Sequence, residues 1–145
     1  MQNEFLPVLG RLTLELRDSC GNLKDHRDID NLIVQVGKNF LANAVVLTSG
    51  SPFTNMAIGT NGTAATLADT TLGTEVARQA FTQGVSTNVV TMSTTFAAGV
   101  GTGALQEAGL FNNSSGGTML SHVVFAVINK GALDTLTIQW TVTVG

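Results

Sequence analysis

Residues 135–144 read TLTIQWTVTV, an unbroken alternation of apolar and polar side chains. Leu136, Ile138, Trp140, Val142 and Val144 fall on one side; Thr135, Thr137, Gln139, Thr141 and Thr143 fall on the other. A period of two is the repeat of a strand with one face buried and one face wet. Such a strand needs partners, and the rest of the chain supplies them. Residues 11–17 (RLTLELR) alternate in the same way, with Leu12, Leu14 and Leu16 inward. The DSCGN turn follows, and residues 23–27 read as the returning strand. Further strands are expected at 32–36, 54–59, 75–82, 88–96, 104–111 and 119–129. Gly84, the glycines at 99–103 and NNSSGGT at 112–118 mark turns between them.

Two segments depart from this pattern. In KNFLANAVVLT at 38–48, Phe40, Leu41, Ala44, Val45 and Thr48 recur at helical spacing, which predicts one short helix. In residues 120–128, Val123, Phe125 and Val127 are apolar on one face and Val124, Ala126 and Ile128 on the other. That strand is either covered on both sides or part of a subunit interface. Many short strands with frequent turns predict a mainly β domain, a β-sandwich of jelly-roll-like kind. At 145 residues the chain is read as a single β-rich domain over 11–145, preceded by an N-terminal arm at 1–10.

Charge is distributed unevenly. Residues 39–145 carry only six charged side chains: Asp69, Glu75, Arg78, Glu107, Lys130 and Asp134. The first 38 residues hold the other eleven. Soluble domains keep about a quarter of their residues charged, whereas here the figure is 12%. Interface cores are depleted in Lys, Glu and Asp, so the neutral stretch predicts a surface that touches other protein copies. A net charge of −3 and the lack of any Lys/Arg cluster argue against nucleic acid as a partner. No apolar run approaches the roughly 18 residues that span a bilayer, so no membrane role is expected. The N-terminus lacks the basic and apolar regions of a secretory signal. The lone Cys20 forms no internal disulfide and suits synthesis in a reducing compartment.

Catalytic chemistry is thinly represented. Of the two histidines, His26 lies in the charged stretch KDHRD and reads as solvated, and His122 sits among apolar neighbours and reads as a core or interface residue. Asp25, Asp28 and Asp30 lack the glycine and terminal glutamate of a calcium loop. Gly59-Thr-Asn-Gly62 and Gly99-Val-Gly101-Thr-Gly103 lack the Gly-Lys-Ser/Thr and βαβ context of a phosphate loop. No catalytic residue, metal site or cofactor is expected. Arg78 and Glu107, isolated in the neutral half, are expected to form one ion pair, within a subunit or between subunits.

Three segments carry a family resemblance: 12–42, 56–78 and 103–145, with Glu107-Ala-Gly-Leu-Phe111, the Gly-Gly turn and Trp140-Thr-Val-Thr143 its most specific pieces. The chain resembles small virion proteins of tailed bacteriophages, in particular capsid decoration (cement) proteins. A related strand and turn occurs in phage tail-collar fibre proteins. The resemblance implies a β-rich homotrimer, made in the bacterial cytoplasm, that binds the major capsid protein on the outer surface of the head and stabilises the shell. It leaves open a tail, baseplate or fibre-associated structural role with tail or fibre proteins as partners. On either reading the chain is not an enzyme. The expected interface residues are Phe5, Leu6, Val8 and Leu9 of the arm, Arg78 and Glu107, and Val123 and Phe125 of the doubly apolar strand.

Overall fold

A computed structural model describes residues 7–44 and 51–145. Nine strands and one helix occur in the order β1 (Val8–Arg17), β2 (Leu23–Ile33), α1 (Gln35–Ala44), β3 (Asn55–Gly59), β4 (Glu75–Ala80), β5 (Thr82–Ser86), β6 (Val89–Phe96), β7 (Gly103–Phe111), β8 (Met119–Lys130) and β9 (Thr135–Val144). All pairings are antiparallel, and the strand order is β4-β3-β7-β8-β2-β1-β9-β6-β5. The fold is mainly β with one short helix, as the alternation predicts.

The nine strands form two facing sheets joined at both corners. At one corner β2 changes partner: its first part pairs with β1, while Leu32 and Ile33 pair with His122 and Ser121 of β8. At the other, β4 ends at Ala80 and β5 begins at Thr82, so the chain turns from one sheet into the other at Phe81. There the Gln79 side chain donates to Thr94 Oγ1 at 2.7 Å and also to the Thr95 carbonyl. The result is a flattened, nearly closed sandwich.

The inward residues of both sheets make one core. Leu12, Leu14 and Leu16 of β1 and Leu136, Ile138 and Trp140 of β9 face Ile58 of β3 and Leu105 and Leu110 of β7. At roughly 25 cal/mol per Å² of apolar surface removed from water, this burial is the main stabilising term. A second cluster of Val34, Ala57, Leu72, Phe111 and Met119 lies on the outer side of β3, β7 and β8. It supplies Leu72 from the 60–74 segment, so β3, the last part of β7 and the start of β8 are covered on both faces.

Several elements differ from expectation. β1 opens at Val8, so residues 8–10 are ladder residues and not part of a free arm. Residues 32–36 are not a separate strand: Leu32 and Ile33 close β2, and α1 starts at Gln35. The helix thus lies earlier than 38–48, and residues 45–48 fall outside the described residues. α1 sits so close to β8 that a Cβ on Gly37 would meet the backbone of Leu120, which explains a glycine inside a helix. Gly84 is mid-strand in β5, and the turn comes at Thr87, which adopts φ 53°. In β8 the regular alternation breaks: the register against β7 shifts between Leu105 and Glu107, Val127 turns outward and Ile128 inward.

A buried carboxylate and a neutral surface

The six charges of residues 39–145 are all engaged within the chain. Arg78 grips Glu75 through Nε (2.6 Å) and Nη2 (2.8 Å). Its Nη1 donates to the carbonyls of Asn113 and Gly116, and its guanidinium lies 3.7 Å from the centre of the Phe111 ring. Asp134 accepts from Lys24 Nζ at 2.7 Å and from the Gly131 amide at 2.8 Å. These contacts hold its carboxyl below the usual carboxylate value. Lys130 is buried and donates to the Ala97 carbonyl at 3.0 Å, and desolvation lowers its pKa. Asp69 and Glu107 both meet His122.

The expected Arg78–Glu107 pair does not form. Glu107 is instead an anchor for both ends of the 60–74 loop. Its Oε1 accepts from the amides of Thr74 (2.7 Å) and Asn61 (3.3 Å), and its Oε2 from the amide of Gly73 (2.9 Å). Gly59 leaves the room: a Cβ there would strike the Glu107 carboxylate and the Thr74 carbonyl. The glycine-containing loop therefore does cradle an anion through its amides, and that anion is the chain's own glutamate.

His122, opposite Gly109 of β7 in the hairpin, fills the next position. Its Nδ1 lies 2.7 Å from Asp69 Oδ2 and its Nε2 2.9 Å from Glu107 Oε2. The two ring nitrogens point in opposite directions, so the three side chains share no common ligand point. No group of His, Cys, Asp or Glu suited to a metal occurs among the described residues. Neither ring nitrogen is free to act as a general base. The Ser121 hydroxyl, next in sequence, alternates to the other face of β8. A polar cleft of about 370 Å³, lined by Asn61, Thr63, Thr71 and Gly73, runs beside Asp69 and His122.

The outside of the sheet β2-β1-β9-β6-β5 divides into two halves. On β1 and β2, Arg11, Glu15, Arg17, His26, Asp28 and Asp30 are exposed or half-buried, with His26 near Glu15 and Asp28. On β9 and β6 the outward residues are uncharged and polar, nearly all of them hydroxyl-bearing: Thr137 faces Thr95, Thr141 faces Thr91, and Gln139 faces Ser93. β5 is exposed along its whole length, carries no charge, and pairs only with β6 among the described residues. Val85 on it is 71% exposed. Beside it opens an apolar groove of about 310 Å³, lined by residues that include Val8, Leu41, Phe53, Val85, Val90 and Val144, with no charged side chain among the described residues.

The expected interface residues are thus sorted. Val8 lines the groove, and Leu9 is 61% exposed. Phe5 and Leu6 lie outside the described residues. Val123 and Phe125 belong to the core between the sheets, not to a surface. Arg78 and Glu107 hold internal turns and loops. The Glu107–His122–Asp69 unit escaped the sequence because its members are spread over 54 positions (69 to 122) and join only through the β7–β8 register. No described helix is long and apolar enough to cross a membrane. Compared with protein-family models, with curated proteins and with solved structures, the chain finds no match.

Proposed function

We propose that this chain is a structural virion protein of a tailed phage, a decoration protein that assembles with copies of itself on the outer surface of the head and stabilises the shell. The observation that carries the reading is the internal use of every charge in residues 39–145. Ordinary solvated surfaces keep free Lys and Glu; surfaces that are covered in an assembly lose them. The β5 edge supports the same reading. Monomers blunt such edges with Lys, Pro or an inward charge, and TQGVS has none of these. The occupant proposed for this edge and its groove is a second copy of the chain. Homotrimeric order and the capsid as partner come from the family resemblance. The role is non-enzymatic: the one buried histidine has both nitrogens committed to carboxylates.

The test is to add the purified chain to shells that lack it, pellet them, and count bound copies. Saturation at hundreds of copies, with a raised shell melting temperature, is expected from repeated weak contacts acting together. Density confined to the tail, with bare shells, replaces the reading with a tail-associated role.

A further inference from the structure

We propose that His122, Asp69 and Glu107 form a proton-dependent latch that fixes the middle of the 60–74 loop against β7 and β8. A neutral imidazole carries one N–H and one acceptor nitrogen. Here each ring nitrogen faces a carboxylate oxygen, at 2.7 and 2.9 Å. Both contacts attract only when the ring carries two N–H groups. When the ring loses one of them, a nitrogen lone pair is set against a carboxylate oxygen, and one contact becomes repulsive.

Among the described residues, the surroundings leave the ring as the only cation available to these carboxylates. Glu107 is the sole charged residue of β7, and the loop contributes only Asp69. From β2, Asp30 lines a cleft shared with His122. α1, packed on β8, carries one charge, the exposed Lys38. β3 carries none, and Lys130 lies at the far end of β8. No Lys or Arg lines either cleft that touches the ring.

The two contacts differ in what they hold. Glu107 keeps three backbone amides at the loop's ends whatever the ring does, and Leu72 stays buried in the second cluster. Among the described residues, Asp69 is the loop middle's side-chain anchor to the strands, and it organises that middle through the Thr66 amide and hydroxyl, both at 2.8 Å; the Leu67 carbonyl accepts separately from the Gln35 amide of α1 at 2.9 Å. Loss of the His122–Asp69 contact therefore leaves residues 63–71, between two fixed ends, tied to the rest of the fold by the Gln35–Leu67 bond alone, and widens the 370 Å³ cleft beneath them. Burial works against the charge of Asp69, but hydrogen bonds from Thr66 and His122 outweigh it and hold the carboxyl below its usual value. By this geometry the latch is closed when the ring carries two N–H groups and open when it carries one.

Amide hydrogen exchange of the intact chain, corrected for intrinsic rates, tests this between about pH 5 and pH 9, the range a histidine spans. Protection of residues 63–71 is expected to fall about tenfold across it, the equivalent of one net hydrogen bond, while Asn61, Gly73 and Thr74 stay protected. Ring nitrogen NMR is expected to show two N–H groups on His122 at the acidic end. H122Q, which has no proton to lose in this range, is expected to remove the step. Should H122Q fail to fold, D69N removes the step while retaining the His122–Glu107 contact. Protection of 63–71 that does not change with pH, or a step that persists in either variant, overturns the latch.

Discussion

Gln79 donates to Thr94 Oγ1 at 2.7 Å across the corner where the two sheets meet, and Thr94 passes the bond on to the Ala80 carbonyl at 3.0 Å. Between β4 and the end of β6 there is no main-chain ladder, so this chain of side-chain bonds stands in for one. Gln79→Leu is expected to leave Thr94 Oγ1 without its donor and the Thr95 carbonyl without this partner at a partly buried corner. Its cost should be about 1–3 kcal/mol, read as a lower urea midpoint. An unchanged midpoint would mean that packing of Phe81 alone closes the sandwich.

Glu107→Gln is the severest single change expected on the loop side. It keeps the shape but removes the charge that three amides and His122 share, and it points an NH2 group at donors. Removing one member of a buried charged network costs about 3–5 kcal/mol. Urea unfolding at neutral pH measures it; a loss below about 1 kcal/mol would show that the carboxylate is replaceable by any polar group.

Arg78→Lys tests whether geometry or charge matters beneath the 112–118 turn. Lysine keeps the charge but loses the fork on Glu75, the second carbonyl contact and the flat contact with Phe111. A loss of about 1–2 kcal/mol is expected, with faster amide exchange in 112–118. Wild-type exchange there would mean the turn holds itself through Asn112, whose side chain accepts from the Thr118 amide at 2.7 Å.

Acid should destabilise the fold through carboxylates held below their ordinary values. Asp134 owes this first to Lys24, Asp28 to Thr13 and Asp18 to the Asn22 amide, while Asp69 keeps its charge against burial. For a depressed carboxyl, the folded state binds fewer protons than the unfolded one. The stabilisation is complete above the unfolded value of about 4 and is lost as pH falls through the lower folded value. The contribution of these four carboxyls to the melting temperature should therefore hold steady above about pH 5 and drop below about pH 4. D134N should flatten part of that drop; an equally steep drop in D134N would assign the effect to the other three.

The neutral edge gives the prediction that bears most on assembly. Val85→Lys places a charge on β5 at a 71% exposed position, so folding stability should change by less than about 0.5 kcal/mol. Sedimentation equilibrium should nevertheless show self-association weakened. Unaltered association would remove β5 from the copy-to-copy surface.

What the sequence disclosed and what it hid follow from the range of the interactions involved. Strands such as 11–17 and 135–144 are legible because alternation is local. The turn at Thr87 is not, because it relies on a threonine at positive φ while the nearby glycine, Gly84, sits in an open strand with nothing near its missing Cβ. The doubly apolar strand at 120–128 left open a second cover or a subunit interface, and could not tell that Leu72 and α1 cover the outer side of its start alone. Pairing Arg78 with Glu107 followed from counting isolated charges. It failed because Glu75 lies three residues away on the same strand, across a shift in its register, and because His122 reaches Glu107 through a strand register that composition does not encode.

The internal use of charge also bears on how the molecule approaches anything. Ions in solution screen free charges over about 10 Å at ordinary salt, but a face without free charges offers nothing to screen. Binding through the β5–β6–β9 side should therefore be nearly indifferent to salt, whereas the β1–β2 belt, with Arg11, Glu15, Asp28 and Asp30, still feels a distant field. This sheet's outer face is electrically visible along its β1–β2 half only, so a charged surface would draw that half toward itself before contact and leave the threonine half to meet whatever arrives next.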